Sequence, residues 1–409
     1  MDHTTERKRM IVPAITLEHL PTHRLGIAII GSTGSIGRQT LQVIDQHPER
    51  FTVVSLASGS ISPLLAQQVS TYRPLIVAAD SHAEHDGLID RPVLFGEEGL
   101  IEATTHPEID IVVVASSGHA AIIPTARAIE AGKTIALANK EAIVCAGELI
   151  VDLALRHNVQ IRPVDSEHSA IWQALGLSDG RDISRLILTA SGGPFRETPI
   201  EELSRVTAEQ ALSHPTWSMG GKITIDSATM MNKGLELIEA HWLFGMSYDA
   251  LDVVIHPESI VHSIVEFSDF SQVAQLSLPD MRLPIQYALT YPRHASSPCR
   301  RLSLADAGTL RFFEPDIVRF PSLRLAREAG YAGQTYPTVL SVADEVAVKA
   351  FMDGAIRFVD IAEVVERALT IHQPWPLADF DALADADAWG RQAAEQIVTL
   401  IAMEPSGSS

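Results

Sequence analysis

Apolar residues along this chain of 409 residues follow two rhythms. Short, nearly continuous apolar runs at 24–30, 51–57, 75–79, 111–115 and 134–138 fit strands buried on both faces, the pattern of a parallel sheet. Among them, 120–131 and 141–156 carry apolar residues at three- and four-residue spacing with few breakers, which predicts helices. Alternation of this kind predicts a doubly wound α/β domain, whose ligands sit beyond the carboxyl ends of the strands. The rhythm then changes. Segment 160–163 reads as a further short strand, 183–188 as a strand feeding a Ser/Gly turn, and 223–233 as a short strand turning into a helix that carries Glu236 and Glu239. Segments 260–267 and 273–278 alternate apolar and polar positions, as antiparallel strands do, so a central α+β domain is expected. From about 331 onward, 337–351, 361–372 and 388–403 return to helical periodicity and predict a C-terminal helical bundle. Pro315 and Pro321 interrupt 311–323, which reads as a linker.

Composition narrows the class. Hydrophobic residues make up 46% and charged residues 20%, with no low-complexity tract or internal repeat, so the chain is globular and long enough for more than one domain. A formal charge of −20 argues against nucleic acid or an anionic membrane as partner, because both select a basic footprint. Any anionic ligand must then be held by local donors. Cys145 and Cys299 form no C-x-x-C pair, which suggests reduced thiols and a cytoplasmic location. No apolar run approaches the roughly 20 residues of a spanning helix. Asp2, Glu6, Pro13 and Glu18 break up the first twenty residues, which fit neither a secretory signal nor a transit peptide and read as a flexible extension. The Ser/Gly/Pro ending at 405–409 reads the same way.

Candidate chemistry begins where the first apolar run meets Gly31-Ser32-Thr33-Gly34-Ser35-Ile36-Gly37 and a helix at about 38–45. Glycines in a strand-to-helix turn let a pyrophosphate approach the backbone and the free N–H groups of the helix start. The spacing G-x-x-G-x-x-G alone leaves an unliganded turn open; the strand and helix alternation that follows favours a dinucleotide and a Rossmann-like domain. Ser116-Ser117-Gly118 and Asn139-Lys140-Glu141 should gather at the same edge. Lys140 could point there toward cofactor or metal, or be a solvated lysine at a helix start, which the helix dipole disfavours.

Asp165 and Glu167, one residue apart after a short strand, can converge on one cation, and Glu236 could close the set. All-oxygen ligation favours Mg²⁺ or Mn²⁺ over Zn²⁺. The alternative is two surface charges on a loop and a helix-capping glutamate. Residues 189–196 offer the Ser191 hydroxyl and backbone donors to a phosphate, or form an ordinary turn. Ser227, Asn232 and Lys233 would add two neutral donors and a cation. The loop 214–221 reads as a lid carrying Trp217 and Met219, unless those two pack into a core. His256 and His262 read as structural, since neither has a partner at metal-binding spacing.

The motifs at 31–37, 137–141, 163–168, 191–198, 214–220 and 226–236, in that order, resemble those of the 1-deoxy-D-xylulose 5-phosphate reductoisomerase family of the non-mevalonate isoprenoid pathway. The likeness runs from about residue 25 to the C-terminal helices. It implies a flexible extension (1–22), an NADPH-binding domain (23–164), a catalytic domain for metal and substrate (165–303), a linker (304–330) and a C-terminal helical domain (331–405), assembled as a homodimer. It implies Asp165, Glu167 and Glu236 as ligands of Mg²⁺ or Mn²⁺, with Ser166 and Lys140 near the reacting oxygens of a phosphorylated sugar. Ser191, Ser227, Asn232 and Lys233 would form the phosphate site, with His214 and Trp217 on the lid. Thr33, Gly34, Ser35, Ile36, Gly59, Ser60, Asn139, Glu141, Gly220 and Met281 would contact the cofactor.

Two departures stand out. Residues 341–345, Ser-Val-Ala-Asp-Glu, stand where the family often has an Asn-rich helix segment, and Ser60 stands where some members carry lysine. The second strand ends in Ala57-Ser58-Gly59-Ser60 without a carboxylate, so a 2′-phosphate is admitted, held by hydroxyls and N–H groups that discriminate less than a cation. The implied reaction takes 1-deoxy-D-xylulose 5-phosphate to 2-C-methyl-D-erythritol 4-phosphate. Two other readings are a simpler metal-dependent NADP dehydrogenase for a phosphorylated hydroxy-carbonyl compound and a non-enzymatic dinucleotide sensor. The sensor gives no reason for three carboxylates and a set of phosphate donors to occur together.

Overall fold

The computed structural model describes residues 10–12, 23–81, 87–176, 182–217 and 219–404. Seven parallel strands form the first sheet: β1 (Leu25–Ile30), β2 (Phe51–Ser60), β3 (Ile76–Ser81), β4 (Leu94–Phe95), β5 (Ile111–Val114), β6 (Thr134–Leu137) and β7 (Ile161–Pro163). Their order is β4-β3-β2-β1-β5-β6-β7, so the chain works outward from β1 to one edge and then returns to build the other. That puts the topological switch point between β1 and β5, directly above the glycine turn. Successive residues of β1 and β5 enter two separate apolar clusters: Ala28, Ile30, Val112 and Val114 join one, Ile27, Ile29, Ile111 and Val113 the other. Burial on both faces is why these strands read as unbroken apolar runs.

The connecting helices are α1 (Ser35–Gln46), α2 (Pro63–Tyr72), α3 (Gly96–Thr105), α4 (Ile122–Glu130), α5 (Glu141–Val144) and α6 (Gly147–His157). The stretch 141–156, expected as one helix, is therefore two. The break brings Gly147 against Trp242, whose ring a Cβ there would meet at 2.4 Å. Strand β4 was not expected, because two residues are too few to show a period.

The second layer begins with α7 (Ser166–Leu175), β8 (Ile183–Ala190), α8 (Ala208–Leu212), α9 (Gly221–Thr229) and α10 (Met231–Phe244). It continues through β9 (Leu251–Ile255), β10 (Val261–Phe267), β11 (Gln272–Leu276), α11 (Arg282–Thr290) and α12 (Leu304–Ala307). The sheet order is β11-β10-β8-β9, with β10 antiparallel to both neighbours, as its alternation suggests, and β9 parallel to β8. The strand expected within 223–233 is instead α9. Ile223, Thr224 and Ile225 are β-branched and favour a strand locally, but Ile225 and Ala228, three apart, are both fully buried along one helical face. Met230, at φ +67°, separates α9 from α10.

Segment 308–321 is irregular apart from a bridge between Phe313 and Ile255, and α13 (Ser322–Ala332) then packs on α10, Ala326 against Gly234. Helices α14 (Tyr336–Met352), α15 (Phe358–Ile371) and α16 (Phe380–Met403) complete the C-terminal bundle. Met10–Val12, part of the expected flexible extension, is docked: Ile11 and Val12 are buried and the Ile11 N–H donates to Leu243 O at 3.2 Å. The rest of that extension, and the ending at 405–409, lie outside the described residues. Among the described residues, no helix is long and apolar enough to cross a membrane.

Helix α11 ties the two sheets together. Arg162 of β7 donates to Ala288 O at 2.9 Å, and Trp172 of α7 meets Tyr287 and Tyr291 with ring centroids 4.6 Å apart. These contacts, with α11 lying against α1, hold the loop before α11 over the glycine turn.

Candidate active site

A cavity of about 550 Å³ opens where the carboxyl ends of the first sheet face the second, within the usual size of a small-molecule site. Its charged wall comes from two helices. Asp165 is the N-cap of α7, its carboxylate accepting from Ser166 N at 3.1 Å, and Glu167 lies in the first turn. Glu236, 1% exposed, projects from α10. One oxygen from each of the three lies within 4.8 Å of the others.

Two lysines offset this charge. Lys140 pairs with Asp165 and donates to Glu236 Oε1 at 3.3 Å; Lys233 donates to Glu167 Oε1 at 2.8 Å and pairs with Glu236. Ser166 Oγ donates to Glu167 Oε2 and Asn232 Nδ2 to Glu236 Oε1, both at 2.6 Å. Burial alone would raise the Glu167 pKa, but the Lys233 ammonium overrides it and holds the carboxyl at about 2. Burial likewise opposes the charge on Lys140 and Lys233, yet the surrounding carboxylates win and raise both. Glu167 therefore stays ionised, and the three mutually close carboxyl groups are hard oxygen donors without nitrogen or sulfur. That donor set fits Mg²⁺ or Mn²⁺.

A second grouping, Asp165 with His168 and Glu239, is equally compact. His168 Nε2 donates to the Glu236 carbonyl at 2.9 Å, and burial, helped by the Lys140 charge, lowers its pKa to about 3, so the ring is neutral. Its Nδ1 has no hydrogen-bond partner and faces Glu239 Oε2, which also has none, at 3.6 Å. Burial raises Glu239 to about 8. A protonated Glu239 facing a bare Nδ1 accounts for both atoms without a cation, and neither side chain lines the cavity. The accessible donor set is Asp165, Glu167 and Glu236.

Across the cavity, His214 bridges the turn after β8 and helix α9. Its Nδ1 accepts from Thr216 N at 3.1 Å and Trp217 N at 2.8 Å, which leaves the proton on Nε2. That N–H is shared between Ser191 Oγ at 3.0 Å and Ser227 Oγ at 3.1 Å. Burial lowers the His214 pKa, keeping it a neutral donor. Asn232 and Lys233, expected with this group, line the same cavity and also donate to the carboxylates, because α10 places 232, 233 and 236 on one face. Trp217 lines the cavity, its ring 6.3 Å from that of His262. His262, read as structural, thus lines the site. His256 is structural: it donates to Arg311 O at 2.8 Å and accepts from Ile260 N at 3.2 Å.

The opposite end is the glycine turn. Gly31 has φ +83°, and a Cβ on Gly37 would lie 2.3 Å from Gly31 O, so both positions demand glycine. No side chain caps α1 and its first turn holds no carboxylate, which leaves its N–H groups to a ligand anion. Ser35, Ile36, Gly220 and Met281 line the cavity, joined by Gln39 and Gln42, which carried no sequence signal. Thr33, Gly34, Gly59, Ser60, Asn139 and Glu141 do not line it. Asn139 is fully engaged, donating to Ser116 O and Gly118 O at 2.9 Å and accepting from Ala142 N at 2.8 Å; Glu141 accepts from Gly118 N at 3.0 Å. These two shape the 116–118 loop.

Comparison with known proteins agrees with this geometry. A family model described as 1-deoxy-D-xylulose 5-phosphate reductoisomerase matches residues 27–147, one for the C-terminal domain of that enzyme matches 161–244, and a further DXP reductoisomerase C-terminal model matches 276–393. A 1-deoxy-D-xylulose 5-phosphate reductoisomerase of Thermomicrobium roseum is 55% identical over 92% of this chain and 98% of its own, and one of Chlorobaculum tepidum is 51% identical over 91% and 99%. The Zymomonas mobilis enzyme solved in complex with NADPH superposes with a TM-score of 0.86 at 37% identity, covering 92% and 99%. A DOX-P reductoisomerase solved with NADPH, fosmidomycin and magnesium gives 0.89 at 38%, covering 93% and 99%. Likeness this deep, spread over both sheets and the C-terminal helices, means that the chain belongs to the 1-deoxy-D-xylulose 5-phosphate reductoisomerase family.

Proposed function

We infer that this protein converts 1-deoxy-D-xylulose 5-phosphate into 2-C-methyl-D-erythritol 4-phosphate, rearranging the carbon skeleton to an aldehyde and reducing it with NADPH, in isoprenoid precursor biosynthesis. One observation carries the reading: the carboxylate trio, Ser191 and Ser227 on either side of His214, and the glycine-turn helix face a single cavity. When bound, Mg²⁺ or Mn²⁺ supplies Lewis acidity at neighbouring substrate oxygens and NADPH supplies hydride.

The residues divide the remaining work. Asp165, Glu167 and Glu236 would hold the ion. Ser191, Ser227 and His214 would grip the phosphate, so that binding energy far from the reacting carbons orients them. Lys140, kept cationic by its carboxylate neighbours, would place a proton donor beside the oxygens that gain charge. Trp217 and Met219 would close the mouth against water.

Product analysis after incubation with 1-deoxy-D-xylulose 5-phosphate, NADPH and Mg²⁺ tests this. Appearance of 2-C-methyl-D-erythritol 4-phosphate supports it; an unrearranged alcohol would make the protein a simple dehydrogenase. We further propose the division 23–164, 165–303, 304–330 and 331–405, and a homodimer. Supporting the dimer, β11 is a sheet edge with Val273 and Leu276 exposed beside Phe270, which is 79% exposed. A cytoplasmic location is supported by two free thiols, Cys145 and Cys299.

Cofactor choice gives one prediction. Ser60 ends β2 exposed, with no carboxylate on that strand to repel a 2′-phosphate. Wild type should prefer NADPH, by a margin narrower than in lysine-bearing relatives, and Ser60→Asp should reverse the preference by repelling the phosphate and accepting from the ribose hydroxyl. kcat/KM for both cofactors in both proteins checks it; a wild type that favours NADH would refute it.

A further inference from the structure

A buried charge cluster beside the cavity plays no part in the chemistry above. Lys222 stands in the first turn of α9, immediately after the lid. Its Nζ donates to Asp226 Oδ2 at 2.7 Å, one turn along the same helix, and to Asp344 Oδ2 at 2.8 Å, on α14 of the C-terminal bundle. Both carboxyls are buried, 2% and 0% exposed, and each leaves its Oδ1 without a hydrogen-bond partner.

A single ammonium cannot neutralise two buried carboxylates. Burial, with the Asp344 charge next, pushes Asp226 well above the usual carboxylate range. Lys222 clamps one oxygen of each carboxyl and so ties α9 to α14. Buried ion groups of this kind add little net stability over apolar packing; what they add is a defined geometry. The location says what is defined: Ser227, next to Asp226, binds His214 in the phosphate site, while Gly220 and Ile223 line the cavity from the other end of α9.

We propose that Lys222, Asp226 and Asp344 form an ionic pin that seats α9 and the C-terminal hinge of the lid on the C-terminal helices, which makes Lys222 a positioning residue for the phosphorylated substrate. This rests on reading Ser191, His214 and Ser227 as the phosphate site. In Lys222→Met, which keeps the chain length and removes the charge, KM for 1-deoxy-D-xylulose 5-phosphate should rise about tenfold or more, with kcat and the KM for NADPH changed less than about threefold. Inhibition by inorganic phosphate should weaken in parallel.

Asp344→Asn keeps an oxygen that accepts from Lys222, so it should keep a wild-type KM, whereas Asp344→Leu should match Lys222→Met. A folded Lys222→Met with unchanged KM overturns the pin. So does Asp344→Asn as damaging as Asp344→Leu, or a loss shared equally by substrate and NADPH. Should Lys222→Met not fold, the two Asp344 variants decide. Should wild type fail to turn the substrate over, the functional reading falls, and calorimetry with inorganic phosphate on wild type and Lys222→Met still tests the pin.

Discussion

Glu236→Gln is expected to lower turnover on the order of a thousandfold while leaving NADPH affinity within about twofold, since a metal ion's charge stabilisation is worth several kcal/mol and each 1.4 kcal/mol is a factor of ten. Glu236 touches every part of the charged wall: Lys140, Lys233 and Asn232 all donate to it. An amide in its place keeps the volume but turns an NH₂ toward two ammonium groups, and removes one of three negative charges that would hold the ion. Glu236→Asp, which keeps the charge but withdraws it by a methylene, should fall between. Chelation of wild type should abolish turnover, and added Mg²⁺ or Mn²⁺ should restore it. Undiminished activity in excess chelator would sink the metal assignment, and equal loss of turnover and NADPH binding in Glu236→Gln would make the residue a scaffold.

Lys140→Met should reduce kcat by about 10²- to 10⁴-fold, the range expected when a positioned proton-transfer or charge-stabilising group is lost. The structure adds a second expectation. The Lys140 ammonium pairs with Asp165 and lies 3.3 Å from Glu236 Oε1, and so competes for the oxygens that would take a cation. Removing it should leave Mg²⁺ affinity unchanged or tighter, because a like charge a few ångströms away is gone. Kinetic titration with Mg²⁺, read by NADPH consumption, separates the effects. A variant with wild-type kcat at saturating Mg²⁺ would show that Lys140 serves only to balance charge.

Much of this site is written locally in the chain. The glycine turn follows a strand and opens a helix, and sterics at Gly31 and Gly37 restrict those positions whatever the surroundings. Asp165 and Glu167 flank a helix start, which turns them toward one point. Apolar runs identify the first sheet because burial on both faces leaves a mark on every residue of β5 and on all of β1 after Leu25.

The remainder was decided by contacts between distant residues. Local propensity in Ile223, Thr224 and Ile225 favours a strand, and only the burial of Ile225 and Ala228 against the rest of the fold makes α9 a helix. Lys233 could serve a phosphate or a carboxylate by type; its partner Glu167 is 66 residues away. His168 and Glu239 are neutral because both are dehydrated, and Asn139 and Glu141 are committed to the 116–118 loop, a fact their own neighbours in sequence do not record. The Lys222 clamp joins positions 122 residues apart. Sequence alone determined the elements and the chemical types in the site, since periodicity, turn sterics and donor hardness act over a few residues; the tertiary structure alone decided which charges meet and which lose their protons, since pairing and desolvation depend on what the folded chain brings within a few ångströms.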